Sequence, residues 1–260
     1  MSENSDTCRV CGSKAKYLWN ANLLDLTARY FECEVCGYVQ TESPYWLDRA
    51  YSEAINDSDT GIMSRNLNNV QVVLATLVIL GSFYGRVVDC AGGYGILVRL
   101  LRDYGIDALW SDRYCPNLVA RGFEYDSGGA VLVTAFEAFE HFVHPDEEMD
   151  RLLVISPNVL FSTELITGPT PAHGDWWYYG KEHGQHIGFF RLKTLEFLAA
   201  SHGKYLISDG RSYHLISDRP VNRIVWRALL KAKKILPGIL RSKLRSKTWQ
   251  DHLAISKRDR

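Results

Sequence analysis

From Arg86 onward the chain alternates short apolar runs with stretches at helical spacing, the pattern of parallel strands linked by helices. Val87–Cys90, Ala108–Ser111, Ala130–Ala135 and Val159–Leu165 are the parallel-strand candidates. Lys204–Ser208 and Arg211–Ser217 are two further β-rich runs, and the Asp209-Gly210 pair between them predicts an antiparallel hairpin. Upstream, Asn66–Leu80 reads as a helix laid on the sheet. Its longest apolar run, Val72–Leu80, is too short to span a bilayer. At the far end Arg223, Arg227, Lys231 and Lys234 recur at helical spacing, with Val225, Leu229, Leu230 and Leu236 available for another face, until Pro237-Gly238 breaks the helix.

Composition narrows the class. With 260 residues and 46% hydrophobic content, the chain has material for one large α/β domain and a small appendage. Met1–Thr7 is polar and acidic rather than a secretory leader, so a reducing cytoplasm is the expected compartment. A net charge of zero hides an asymmetry: residues 219–260 hold 13 Lys/Arg against two Asp, a basic tail on an acidic body. Three readings of that tail stay open. It adsorbs to an anionic membrane surface with Trp226 as interfacial anchor, it binds RNA, or it docks as a solvated helix on the acidic body. No RNA-binding motif accompanies the charge, so nucleic acid is not an expected partner.

Four of the six cysteines form two knuckles, Cys8-x-x-Cys11 and Cys33-x-x-Cys36, separated by 21 residues. Each runs into glycine (Gly12, Gly37), which suits a tight turn aiming backbone N–H groups at thiolate sulfur. In a reducing compartment this spacing predicts a tetrathiolate zinc site rather than two disulfides. Four thiolates leave no open coordination position, so the metal is structural. Cys90 and Cys115 read as non-ligands.

The first strand empties into Asp89-Cys90-Ala91-Gly92-Gly93-Tyr94-Gly95, and a helix begins at Ile96. Glycines there let backbone pass close to a ligand, and the free N–H groups of the helix start would face it. Asp112 ends the next strand 20 residues after Gly92, the spacing of an acid that accepts from ribose hydroxyls. Together these residues predict a nucleoside-bearing cofactor.

The glycine turn and the terminal hairpin together resemble the class I S-adenosylmethionine-dependent methyltransferases, over about residues 65–217. The resemblance implies a doubly wound, seven-stranded, mostly parallel α/β sheet with an antiparallel last strand. Here it would follow a zinc-ribbon-like module (1–42), fill residues 43–218, and precede a basic C-terminal helix (219–260). It makes Asp89 and the Ala91, Gly92, Gly93 and Gly95 turn contacts for the methionine portion, and Asp112 the ribose ligand. It also brings Phe136 and Glu137 beside the cofactor. Ala91 departs from the family pattern, which has glycine at that position.

A narrower resemblance is to the sugar methyltransferases of deoxysugar and surface-polysaccharide pathways, which carry an N-terminal four-cysteine module and a Glu-His pair after the fifth strand. The matching stretch here is Gly184-Gln185-His186-Ile187-Gly188-Phe189-Phe190, with Gln185 in the glutamate's place. A neutral amide cannot raise imidazole basicity as a carboxylate does, which argues for oxygen rather than carbon methylation. His186 is the first choice as general base, with His183 and its neighbour Glu182 offering the same chemistry.

Residues 169–190 also concentrate His173, Trp176, Trp177, Tyr178 and Tyr179, aromatic faces suited to a sugar ring. Glu140, with His141, reads as a carboxylate at a helix start. The expected acceptor is a nucleotide- or lipid-linked sugar or glycan. Carbon methylation, RNA methylation through the zinc module and basic tail, and a non-enzymatic zinc-ribbon adaptor are the alternatives. Against RNA amine methylation, Phe136-Glu137-Ala138-Phe139 stands where an Asn-Pro-Pro-Tyr motif would be.

Overall fold

A computed structural model describes residues 5–51, 59–241 and 243–257. The ends of the zinc-module and tail segments (1–4, 258–260) and much of the acidic Tyr51–Asp59 stretch therefore lie outside the described residues. The chain divides into two compact units: Met1–Asn56, Glu137–Arg151 and Phe161–Pro220 in one, and Asp57–Phe136, Leu152–Leu160 and Val221–Arg260 in the other.

The first unit opens with β1 (Ser5–Thr7), β2 (Lys14–Leu23), β3 (Leu26–Cys33) and β4 (Val39–Thr41), followed by the short helix α1 (Leu47–Ala50). In β3 small and aromatic residues (Ala28, Tyr30) turn inward while Thr27 and Arg29 face water, so one face of the ribbon is core. All pairings are antiparallel, in the order β1-β2-β3-β4-β9. The last strand, β9 (Gly188–Phe189), pairs Val39 with Phe189 and Gln40 with Gly188. A five-stranded sheet completed from residue 188 is larger than the small N-terminal module expected.

The second unit carries α2 (Ile62–Leu80), β5 (Arg86–Cys90), α3 (Ile96–Asp103), β6 (Asp107–Ser111) and β7 (Leu132–Ala135). α2 buries Val70 and Val72–Leu77 and stops at Gly81, whose left-handed φ of 63° lets the chain turn away. β5 is parallel to both β6 and β7, with Asp89 opposite Trp110 on one side and Thr134 on the other. α4 (Pro145–Ile155) and β8 (Val159–Ser162) follow, then α5 (Leu192–Ser201) and the hairpin β10 (Tyr205–Ser208) with β11 (Tyr213–Ser217), antiparallel around Asp209-Gly210 as expected. Among the described residues the mixed sheet holds six strands, β10-β11-β8-β7-β5-β6, where seven were expected. The stretch between β8 and α5 contributes its strand, β9, to the other sheet.

The C-terminal segment forms α6 (Arg223–Ala232), α7 (Leu236–Leu240) and α8 (Thr248–Ser256). Trp226 is wholly buried, which corrects its reading as an interfacial anchor: the indole fills the core of its own unit. Pro237 opens α7 instead of ending a helix, a place where its missing N–H costs nothing. α8 is held by Asp251, whose carboxylate takes Arg102 Nε at 2.8 Å and Nη2 at 2.7 Å, and Arg99 Nη2 at 2.8 Å. Among the described residues no helix is long and apolar enough to cross a membrane.

Candidate functional site

The four cysteines meet. Cys8 and Cys36 Sγ lie 3.6 Å apart, Cys11 and Cys33 Sγ 3.4 Å, and all four sulfurs fall within 4.8 Å of one another as free thiols. Both knuckles fold alike. Cys8 N–H donates to Ser13 O at 2.8 Å and Gly12 N–H to Cys8 O at 2.9 Å; Cys33 N–H donates to Tyr38 O at 2.8 Å and Gly37 N–H to Cys33 O at 3.0 Å. Gly12 and Gly37 take matching left-handed φ of 69° and 70°. Sulfurs around a tetrahedral ion with bonds of about 2.3 Å stand about 3.8 Å apart, so the donor set fits such an ion with small movements.

The turn after β5 is built by the second unit alone. Asp89 is buried, accepts Thr134 Oγ1–H at 2.6 Å, and is pushed up to about 7 by burial, which the Thr134 bond offsets in part. Ala91 and Gly92 N–H both donate to Ser111 O, at 3.0 and 3.1 Å. Gly93 N–H donates to Asp112 Oδ2 at 2.9 Å, and Tyr114 and Cys115 N–H bind Oδ1 at 2.8 Å. Asp112 thus ties the turn after β5 to the loop after β6 through three backbone donors, leaving one lone pair on Oδ2. Gly92 is required by the protein itself: a Cβ there would sit 2.5 Å from Trp110 Cδ1, and that indole N–H donates to Gly93 O at 2.8 Å. The sequence places Thr134 in the Val133–Glu137 stretch beside the cofactor and Trp110 in the strand that ends at Asp112, but gives neither residue a role of its own. The bonds to Asp89 and to Gly93 O supply those roles.

Ala91 adopts φ 95°, the conformation its family position asks of glycine. An L-residue there carries about 1–2 kcal/mol of strain. Ala91→Gly should therefore raise stability by up to about 1 kcal/mol after the added unfolded-state entropy, visible as a rise of roughly 2–4 °C in thermal unfolding. A fall in melting temperature would mean the alanine is not strained.

Around His186 the first unit gathers titratable groups from separate segments. His186 Nδ1 lies 2.6 Å from Tyr178 O, so Nδ1–H donates and Nε2 keeps its lone pair. His141 and His183 rings stand edge-on to it, each with centroids 4.8 Å away. Burial holds all three imidazoles below their ordinary range, His141 at about 3. His141 Nδ1 shares a hydrogen bond of 2.9 Å with Tyr51 OH. His183 Nδ1 accepts Gln185 N–H at 3.1 Å, and Gln185 Nε2 donates to Ala50 O at 2.8 Å, so the amide in the glutamate's place is structural. Glu182 is exposed, and its charge counters the effect of burial on His183.

Glu140 departs from the expectation of a helix-start carboxylate. It sits in a single 3-10 turn, Phe139–His141, with no exposed surface and no hydrogen-bond partner for either oxygen. Burial, with the charge of Glu137 added, raises it to about 8. Glu137 is exposed at φ 52°, exchanging bonds with Ser162: its N–H donates to Oγ at 2.8 Å and Oγ–H donates to Oε1 at 2.6 Å. Phe136 is buried. The aromatic platform is corrected too: Tyr178 and Tyr179 are core, Trp176 packs against them and Phe189, and Trp177 is exposed.

A family model described as "Methyltransferase domain" matches residues 47–208. No curated protein matches the chain. Among solved structures the chain is similar to a magnesium protoporphyrin IX methyltransferase from Synechocystis (14% identity, TM-score 0.44, covering 66% of this chain and 92% of that one). It is also similar to an O-methyltransferase family protein from Burkholderia thailandensis (17% identity, TM-score 0.48, covering 68% and 63%).

Proposed function

The chain belongs to the methyltransferase family whose domain model spans residues 47–208 and is an enzyme; from that premise we propose that it moves a methyl group from S-adenosylmethionine to a hydroxyl of a sugar or glycan. The observation that carries the cofactor is the turn after β5. Asp112 offers its remaining Oδ2 lone pair to a ribose hydroxyl, and Asp89, whose ionisation burial opposes, would be stabilised as a carboxylate by the ammonium of the methionine portion. The start of α3 directly follows that turn, at Ile96.

On the acceptor side His186, although burial weakens its basicity more than that of His183, is the better oriented proton acceptor. Its Nδ1–H is tied to a carbonyl, and its neutral Nε2 faces the other imidazoles. In-line attack breaks the methyl–sulfur bond and forms the oxygen–methyl bond, turning the sulfonium into a neutral thioether, while the hydroxyl proton passes to the base. The four cysteines hold a structural zinc ion in this reading, because four thiolates leave it no open position. A lipid-linked acceptor would suit the C-terminal segment, where Ile224, Ile235 and Ile239 are exposed among arginines and lysines.

S-adenosylhomocysteine should bind in a calorimeter, and Asp112→Ala should weaken it at least tenfold. With labelled cofactor and a panel of nucleotide-sugars and extracted glycolipids, His186→Ala should cut transfer by about 10²–10⁴ and leave cofactor affinity unchanged. Label that enters RNA instead, or that enters a glycan undiminished in both His186→Ala and His183→Ala, would overturn the reading.

A further inference from the structure

We propose that Glu140, His141 and His186 hold a second metal, a divalent first-row ion bound through one carboxylate oxygen and two imidazole nitrogens. The ligand atoms of these three side chains all lie within 4.8 Å of one another, with Glu140 Oε1 4.0 Å from His141 Nε2. Ligands around one ion at about 2.1 Å are separated by roughly 3.0–3.4 Å, so closing the triangle takes about 1 Å of side-chain rotation. Two imidazoles and a carboxylate, with positions left over, are the donor set of open transition-metal sites.

The independent observation is Glu140. A fully buried carboxylate with no donor in hydrogen-bond geometry on either oxygen is a costly arrangement, because the Tyr178 and Thr163 hydroxyls beside it offset its desolvation only in part. A cation is the partner that would repay it. The surroundings are prepared in the manner of outer ligands: His186 Nδ1–H is fixed by Tyr178 O, turning Nε2 into the donor, and His141 Nδ1 is engaged by Tyr51 OH, leaving Nε2 on the Glu140 side. The site is separate from the four-cysteine cluster and uses harder ligands.

The site stands on geometry alone, whereas its role rests on the hydroxyl-methylation reading. There, an acceptor hydroxyl on an open position of the ion would lose its proton to water at near-neutral pH, and the resulting alkoxide would attack the methyl group. His186 would then be a ligand, and no strong base is needed.

The test is zinc stoichiometry by atomic emission after dialysis in zinc-buffered solution, repeated with manganese(II) added to the zinc-loaded chain. Wild type should hold two metal equivalents. Glu140→Gln, His141→Ala and His186→Ala should each hold one, with second-site affinity reduced at least tenfold. The cysteine-bound equivalent, read by the thiolate absorption of cobalt-substituted chain, reports that each variant is folded. One equivalent in wild type with either metal, or a second equivalent persisting in all three variants, would overturn the proposal. Neither result touches the methyl-transfer reading, which labelled transfer tests by itself.

Discussion

An Asp251→Ala chain should be less stable by about 3–5 kcal/mol, because it strands a buried guanidinium. The Arg102 and Asp251 side chains are 6% and 4% exposed, and the pair is bidentate. Arg102 lies with its guanidinium 3.7 Å from the Phe123 ring centre, a place from which it cannot swing to water without vacating the core. Its remaining partners, Asp107 Oδ1 at 3.1 Å and Ala108 O at 3.0 Å, satisfy one end of the fork. Denaturant unfolding measures the loss. Asp103→Ala is the exposed comparison: its carboxylate is 44% exposed, it accepts from Arg99 and from Thr248 Oγ1 at the start of α8, and its cost should stay below about 1 kcal/mol. The effect has a pH signature. Burial opposes ionisation of Asp251, but the two arginines together hold its pKa below the ordinary carboxylate value. Its contribution is therefore complete above about pH 4 and is lost as pH falls through the depressed value. The gap between wild type and Asp251→Ala should close in acid. A gap that persists unchanged there would mean that packing, not charge, holds α8.

Cys33→Ser should produce the larger failure. Removing one thiolate from a four-sulfur site forfeits metal binding worth on the order of 10 kcal/mol in small zinc domains, more than most domains have in reserve. Cys33 is also the last residue of β3, so loss of the ion releases the strand beside the knuckle. Metal content should fall by one equivalent and the fluorescence of Trp19 and Trp46, both in that unit, should shift toward the solvent-exposed range. Chelation of wild type should reproduce the change. Cys90→Ser and Cys115→Ser should leave metal content untouched. A folded, metal-free Cys33→Ser chain would show that the cysteines are not a structural centre.

What could be read from the residues was what repeats or stands at a fixed spacing. Parallel strands announced themselves as Val87–Cys90 and Ala108–Ser111, and the hairpin as Asp209-Gly210, each to within a few residues of the observed bounds. The cysteine knuckles were legible because metal spacing is local. β9 was not, since two residues, Gly188 and Phe189, carry no periodicity and find their partner strand far upstream. Glu140 misled for a related reason: an acid near a predicted helix start looks like a cap, and burial alone reveals otherwise. Trp226 and Asp251 were submerged in the charge of the tail, where a single indole and a single carboxylate decide how it docks. Local rules see neighbours in sequence, whereas these residues act through neighbours in space.

The late arrival of β9 has a consequence for synthesis. Between Thr41, which ends β4, and Gly188, which begins β9, lie 146 residues. At about 5–20 residues per second a ribosome needs roughly 7–30 s to deliver them. Through that interval the β4 edge has no partner strand, and an open edge invites pairing with other chains. The knuckles at Cys8–Cys11 and Cys33–Cys36 are complete well before then, so an ion captured early would hold the nascent hairpin in register while its last strand is still being made. Metal supply would then govern yield on the ribosome as much as stability afterwards.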